Sequence, residues 1–267
     1  MKSIWPYSIN KVYCEDCLSS LKKIPDGVFN LMVTSPPYNI DISYWNEWEW
    51  WKIKKSKWVK YSDNMEEEQY REFIWEVMKE SIRTLSDTWS IYLNIKNRYI
   101  DEQIVPPFWV LDYFSEMYLK NTIIWSFDWG WSTNKRFCSR YEYVFFFTKN
   151  KKTWTFNLDD VKVPSLNYRP DRYKSQLKNP SDVRRIPIVS WNSPERTSHP
   201  AQYPEKLIER IIKVSTNEWD LILDPFIGSW TTWVVAKNLW RNFIWFDTNI
   251  DYVNIANERI FNWKIIE

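Results

Sequence analysis

The chain has 267 residues, 44% hydrophobic and 26% charged, enough for one large α/β domain or a domain with a sizeable insertion, and this excludes disorder, a coiled coil and a disulfide miniprotein. Its 36 Lys and Arg against 34 Asp and Glu leave a net charge of +2, so a polyanionic partner has to be held by local patches rather than by global charge. No apolar run approaches the roughly 18 residues of a membrane span, residues 1–10 lack a signal-peptide core, and three cysteines make no disulfide framework, so a cytoplasmic protein is expected.

In chain order, residues 11–15 read as a short strand, 18–24 as a helix and 28–34 as a buried strand that ends in Ser35-Pro36-Pro37-Tyr38. Residues 39–62 have no clean period. Residues 66–85 carry the strongest helical pattern, with Tyr70, Phe73, Ile74, Val77, Met78 and Ile82 on one face. Strands are expected at 90–95, 121–127 and 141–148, and Pro106-Pro107 suits the first turn of a helix that fills the gap before residue 121. Residues 149–200 are polar and punctuated by proline, and the span 135–185 holds 13 Lys and Arg against 5 Asp and Glu. Regular structure returns as a helix at 204–215, a strand at 221–224, a helix at 231–239, a strand at 242–247 and a helix at 250–261. Strands alternating with helices predict a mostly parallel sheet covered on both faces.

One pair of counts is inverted: 20 Trp and 3 Gly, where glycine alone is usually about 7% of a chain. Several Trp follow turn-forming residues just before an apolar run, as at Ser86-Asp87-Thr88-Trp89, Asn217-Glu218-Trp219 and Asn238-Leu239-Trp240. Such positions favour φ > 0, where glycine is at ease and an indole is an outlier. Part of the Trp set, namely Trp89, Trp219, Trp230, Trp233, Trp240 and Trp245, is therefore expected to be glycine encoded by UGA in the source lineage, with Trp125 a true tryptophan. The alternative is a genuinely Trp-rich protein.

Two segments carry chemistry. Ser35-Pro36-Pro37-Tyr38 follows an apolar strand, where open α/β sheets place ligands. Proline carbonyls are rigid acceptors, and Ser35 Oγ with the Pro36 carbonyl suits the two N–H groups of an exocyclic amine. Bonding both would draw that nitrogen toward tetrahedral geometry and expose its lone pair, while Tyr38 offers a stacking face to an extruded base. The second segment, Asp224-Pro225-Phe226-Ile227-Gly228-Ser229-Trp230-Thr231-Thr232, is a strand end and tight turn into a helix, and Asp247 ends the next strand where a ribose diol would be bound.

Together these residues resemble the amino-methyltransferases of DNA, whose amine-activating motif is Asp, Asn or Ser followed by Pro-Pro-Tyr or Phe, and whose cofactor motif is Asp-Pro-Phe-x-Gly-Ser-Gly-Thr-Thr. Ser35 to Tyr38 match the first, and Asp224 to Thr232 match the second except at Trp230. Tyr13-Cys14-Glu15-Asp16, Arg140-Tyr141-Glu142 and Ser198-His199-Pro200-Ala201-Gln202-Tyr203-Pro204 are similar to further family segments. The order, catalytic half then basic insert then cofactor half, is the family's permuted beta arrangement.

The resemblance implies a Rossmann-like α/β fold divided as 1–148 (catalytic half), 149–197 (target-recognition insert) and 198–267 (cofactor half). It implies S-adenosyl-L-methionine as cofactor, held by Asp16, Asp224, Phe226, Gly228, Ser229, Thr231 and Asp247, with Ser35, Pro36, Pro37 and Tyr38 as catalytic residues. Double-stranded DNA is the implied partner, with Arg136, Arg169, Arg172, Arg184 and Arg185 as candidate contacts, a cognate restriction endonuclease as a further partner, and a monomer or homodimer as the working form. Neutral Ser35 tilts the target slightly toward N4 of cytosine over N6 of adenine. Competing readings are a methyltransferase of RNA or a protein amide, and an inactive DNA-binding relative that a literal Trp230 would favour. A zinc site from Cys14, Cys17, Cys138 and His199 lacks paired ligand spacing, and no metal is expected.

Overall fold

Eight strands form one sheet in the computed structural model, which describes residues 3–39, 64–130, 134–165, 169–171, 175–190, 192–196, 202–226, 228, 230–248, 250, 253, 254, 256 and 257. They are β1 (Lys11–Cys14), β2 (Phe29–Thr34), β3 (Leu85–Ile95), β4 (Tyr118–Ser126), β5 (Tyr141–Thr148), β6 (Val183–Arg185), β7 (Leu221–Asp224) and β8 (Asn242–Asp247). Their order is β6-β4-β5-β3-β2-β7-β8-β1. From β3 to β1 every pairing is parallel, β5 runs antiparallel to both of its neighbours, and β6 is parallel to β4. This is the Rossmann-like architecture, and it puts the ends of β1, β2, β7 and β8 along one edge of the sheet, where such folds bind ligands.

The helices cover both faces because the strands are apolar on both. On one face α1 (Cys17–Leu21), α2 (Glu67–Thr84) and a 3-10 helix (Pro107–Phe114) pack with Phe29, Met32, Ile91, Leu93, Phe145 and Phe147. On the other, α3 (Glu205–Ser215) and α4 (Thr231–Asn238) contribute Leu207, Ile211, Val235 and Ala236 against Leu31, Val33, Tyr92 and Ile222. Phe29 and Leu31 face opposite cores although two apart, because the register shifts between them. A third cluster joins Val12, Phe243, Val253 and Ala256 to Trp230, Trp233 and Trp245. In α2 the predicted face is buried at Tyr70, Ile74, Val77 and Met78, and half-buried at Phe73 and Ile82. Arg83 at its end donates to the carbonyls of Leu21 (2.8 Å) and Ile24 (2.9 Å), which pins the segment after α1 to α2.

Two expectations change. Strand β3 begins at Leu85 rather than residue 90, so Trp89 lies buried in extended backbone and not in a turn: Leu85 pairs with Phe29 and draws the polar Ser86-Asp87-Thr88 stretch into the strand. The helix at Pro107 is 3-10, in keeping with its run of aromatic residues of modest α-helix propensity. For the helix expected at 250–261, the described residues Ile250, Val253, Asn254, Ala256 and Asn257 are helical and the others lie outside the described residues, as do 40–63. Among the described residues no helix is long and apolar enough to cross a membrane.

The Trp positions divide by backbone and hydrogen bonding. Trp219, Trp230 and Trp240 have φ of 69°, 61° and 60°. Trp240 follows α4 as the left-handed residue of a Schellman motif, its N–H on the Lys237 carbonyl (3.1 Å) and the Arg241 N–H on that of Ala236 (2.8 Å), the place where glycine is usual. Trp219 is the third residue of a turn closed by Asp220 N–H on the Asn217 carbonyl (3.3 Å). The indole N–H groups of Trp89 and Trp245 are buried with no acceptor among the described residues, as are those of the half-buried Trp109 and Trp154. By contrast Trp125 donates to the Ile186 carbonyl at 2.8 Å.

Left-handed backbone costs a bulky residue about 1–3 kcal/mol. At Trp219 and Trp240, which are 66% and 51% exposed, glycine relieves that strain without opening a core cavity, whereas Trp233 and Trp245 fill space whose loss costs more than any strain removed. The double variant Trp219→Gly/Trp240→Gly should therefore melt a few degrees higher than the parent, by calorimetry. The gene should read UGA at positions 89, 219, 230, 233, 240 and 245 and UGG at Trp125, and sequencing the codons decides it.

Candidate functional site

Strands β2 and β7 are parallel neighbours, and both chemical motifs leave from their carboxyl ends. The link between them is one buried carboxylate. Asp224, fully buried, accepts from Thr34 Oγ1 (2.6 Å), Tyr203 O–H (3.0 Å), Thr232 Oγ1 (2.8 Å) and Phe226 N–H (3.2 Å). Burial pushes its carboxyl above the usual range, and the bonds from Thr34, Thr232, Tyr203 and Phe226 oppose that shift. The Tyr203 and Thr232 hydroxyl oxygens also lie 2.6 Å apart, and Thr231 Oγ1 donates to the Tyr203 carbonyl at 3.2 Å. The sequence placed Asp224 and Thr231 as cofactor contacts; both side chains are instead turned inward, and they shape the 224–232 turn from within.

On the other side of β2, the Ser35-Pro36-Pro37-Tyr38 segment is held by three elements. The Tyr70 hydroxyl of α2 donates to the Pro37 carbonyl at 2.7 Å, and Arg98, almost fully buried, stands 4.9 Å from the Tyr70 ring while gripping Glu67 with two bonds of 2.7 Å. Tyr38 O–H donates to Glu142 Oε2 (3.0 Å) and lies 2.7 Å from Ser35 Oγ. Asn94 Nδ2 reaches Glu142 Oε2 (2.7 Å), Tyr38 Oη (2.9 Å) and Ser35 Oγ (3.4 Å), and its Oδ1 is buried with no partner among the described residues. Burial, then the Glu142 charge, holds the Tyr38 phenol well above its usual range. The Tyr38 ring is 8% exposed with Lys96 Nζ 4.7 Å from its centroid, so a base stacking on that face has to displace the ammonium.

Along the rest of the edge, Asp247 ends β8 in register with Cys14 of β1, which brings it beside Asp16. Asp16 is exposed and caps α1 by accepting from Ser19 N–H at 2.8 Å. Phe226 packs edge-on against Phe73 at 5.9 Å, and Gly228 has φ of 45°. Trp230 opens α4 with its indole buried in the third cluster. Ser229 and His199 lie outside the described residues.

Of the basic candidates, Arg136 is exposed over the Tyr99 ring (3.6 Å), Arg169 is exposed 3.8 Å from Asp171, and Arg185 is exposed and forks onto Asp128 (2.8 and 3.2 Å). Arg184 lies half-buried on β6 beside Trp125, and desolvation of its guanidinium brings it down to about 10, aided by the nearby Arg210 charge. Arg172 lies outside the described residues. Among the described residues no group of three or more His, Cys, Asp or Glu is placed to hold a metal, and burial pushes the Cys17 thiol up to about 12.

The chain is similar to known proteins over most of its length. A family model described as DNA methylase matches residues 29–258. Among curated relatives, the Type II methyltransferase M.BglII of Bacillus subtilis is 35% identical over 93% of this chain and 68% of its own length, and M.HpaI of Haemophilus parainfluenzae is 32% identical over 94% and 74%. The DNA adenine methyltransferase YhdJ of Escherichia coli is 32% identical over 92% of this chain and 80% of its own. Two solved structures share the fold: the cytosine-N4-specific PvuII DNA methyltransferase (TM-score 0.65, 20% identity, 95% of this chain and 93% of that one) and M1.HpyAVI in its complex with SAM (TM-score 0.56, 20% identity, 93% and 98%).

Because Asp224 satisfies three buried hydroxyls, removing it strands them. Asp224→Ala should destabilise the protein by about 1–3 kcal/mol or more, the cost of leaving buried donors unsatisfied, read as a lowered denaturation midpoint. Thr34→Val, which removes one donor, should cost about 1–3 kcal/mol.

Proposed function

The chain belongs to the DNA methylase family, and we propose that it transfers a methyl group from S-adenosyl-L-methionine to the exocyclic amine of a base flipped out of duplex DNA. The observation that carries this reading is the 2.6 Å bond from Thr34 to Asp224, which locks the amine-binding loop and the cofactor turn together at adjacent strand ends. The donor set fits the cofactor, a cationic ligand with a ribose diol: Asp247 and Asp16 supply carboxylates at neighbouring strand ends, Phe226 supplies an aromatic wall, and the turn that carries Gly228 leads into the N-terminus of α4. When bound, the cofactor supplies an activated methyl on sulfur.

The chain's own residues bind and orient the acceptor. Ser35 Oγ and the Pro36 carbonyl take the two N–H groups of the amine, so its lone pair turns toward the methyl carbon; Pro37, fastened by Tyr70, keeps the loop rigid. Residues 1–148 and 198–267 act as the catalytic and cofactor halves, and 149–197 as the target-recognition insert, with Arg136, Arg169 and Arg185 meeting phosphate or base edges. Ser35 favours N4 of cytosine as the acceptor. The adenine methyltransferase among the relatives supports N6 of adenine as the second reading.

Nucleoside mass spectrometry of DNA treated with the protein and cofactor should give N4-methylcytosine, or N6-methyladenine on the second reading; C5-methylcytosine, or transfer confined to RNA or protein, refutes the function. Asp247→Ala should weaken cofactor binding about ten- to a hundredfold by calorimetry, the worth of one hydrogen bond to a polar ligand group, and Trp230→Gly should tighten it. Arg185→Ala should weaken DNA binding and reduce its salt slope by about 1.

A further inference from the structure

A serine hydroxyl can donate or accept, and an amine whose lone pair must stay free needs it only as an acceptor. In this site the choice is made three groups away. Glu142 carboxylate can only accept, so its 3.0 Å contact with Tyr38 exists because Tyr38 donates to it. With its single proton committed, Tyr38 Oη can only accept from its other neighbours, Asn94 Nδ2 at 2.9 Å and Ser35 Oγ at 2.7 Å. Ser35 thus spends its proton on Tyr38, and both of its lone pairs are left for the target. Asn94 has two N–H groups, taken by its shorter contacts to Glu142 (2.7 Å) and Tyr38; the 3.4 Å approach to Ser35 leaves that polarity unchanged.

Resting on the function proposed above, we propose that Glu142 fixes Ser35 as an acceptor and is the terminal base for the proton that the methylated amine loses. As the N–C bond forms the nitrogen becomes cationic and must shed one N–H. That proton passes to Ser35 Oγ while the Ser35 proton moves to Tyr38 Oη and the Tyr38 proton moves to the Glu142 carboxylate. One N–H bond is broken, one carboxyl O–H is formed, and both hydroxyls are restored. A neutral serine in the motif is thereby joined to a carboxylate from another strand. Glu142 is a positioning residue acting through Tyr38, and it reaches the site because β5 is antiparallel: Tyr143 pairs with Ile95, so the start of β5 lies beside the carboxyl end of β3. The titratable groups around this chain are Tyr38 from the loop after β2, Lys96 beyond β3, Tyr141 and Tyr143 on β5 and Tyr70 from α2; burial holds Tyr38 and Tyr143 above the ordinary phenol range.

The test variant is Glu142→Gln, isosteric; Asn94 Nδ2 selects its carbonyl oxygen for the place of Oε2, so it still accepts from Tyr38, but an amide takes up no proton and the chain loses its terminal base. In single-turnover assays the variant should transfer methyl at least about tenfold more slowly, within the range of general-base effects, with DNA affinity unchanged. The pH–rate profiles of the parent and the variant should differ. Tyr38→Phe should match the slow rate, and adding it to Glu142→Gln should slow the reaction no further, since both cut one chain. A second readout needs no turnover: in the free protein the Tyr38 hydroxyl proton, bonded to a carboxylate, should resonate downfield and move upfield in Glu142→Gln. A parent-like rate and pH profile, or an unmoved hydroxyl resonance, overturns the inference. Should the parent methylate no nucleic-acid amine, the proposed function fails, and the resonance still decides the polarity.

Discussion

A carboxylate without solvent is costly unless its oxygens are saturated with donors, and Asp224 meets that requirement by drawing on three separate segments. Thr34 comes from the end of β2, Tyr203 from the approach to α3, and Thr232 from the first turn of α4. None of these segments can shift without leaving the charge short of a donor. The consequence is geometric: the loop after β2 and the turn after β7 have their relative position set by a bond rather than by loose apposition.

The same sheet supplies a second polar centre of different character. Around Asp224 every partner is a donor and the assembly is static. Around Tyr38 the hydroxyls of Ser35 and Tyr38 can each turn, and only the acceptor at one end gives the chain a direction. The two centres lie on either side of β2, one toward β7 and one toward β3 and β5, so a single strand carries the fixed anchor and the polar relay. Lys96 over the Tyr38 ring adds a cation whose departure would accompany entry of a base.

Strands bounded by abrupt changes in polarity were legible from the sequence: 141–148, 221–224 and 242–247 stand as read, because each is an apolar run stopped by polar residues at both ends. Motif positions at the ends of β2 and β7 were legible for the same reason. What local pattern cannot carry is partnership across the sheet. Asp224 looks in sequence like a ligand carboxylate, and the arrival of Thr34, 190 residues away, together with Tyr203 and Thr232, makes it a buried anchor. Glu142 was visible as part of Arg140-Tyr141-Glu142, yet its proximity to Ser35 depends on β5 being antiparallel in an otherwise parallel neighbourhood. Arg184 belonged to a basic stretch expected to meet DNA, and pairing of three residues of that stretch with β4 is what partly desolvates it.

Tryptophan shows most clearly why residue type and residue environment have to be judged together. Trp125 has what a buried indole needs, apolar contacts and an acceptor for its N–H, and so belongs to its strand. Trp219 and Trp240 sit in turns whose dihedral angles are those of glycine, with their rings largely in solvent, and Trp89 buries a donor that meets no acceptor among the described residues. Trp230, Trp233 and Trp245 gather into one cluster behind the cofactor turn. That cluster makes the turn's backbone depend on an indole at its left-handed residue, where the motif elsewhere offers a residue with no side chain. A glycine there would free both the dihedral angle and the space beside the turn, so that on the proposed function the strain at Trp230 bears on the cofactor, while that at Trp219 and Trp240, whose rings are exposed, bears on stability.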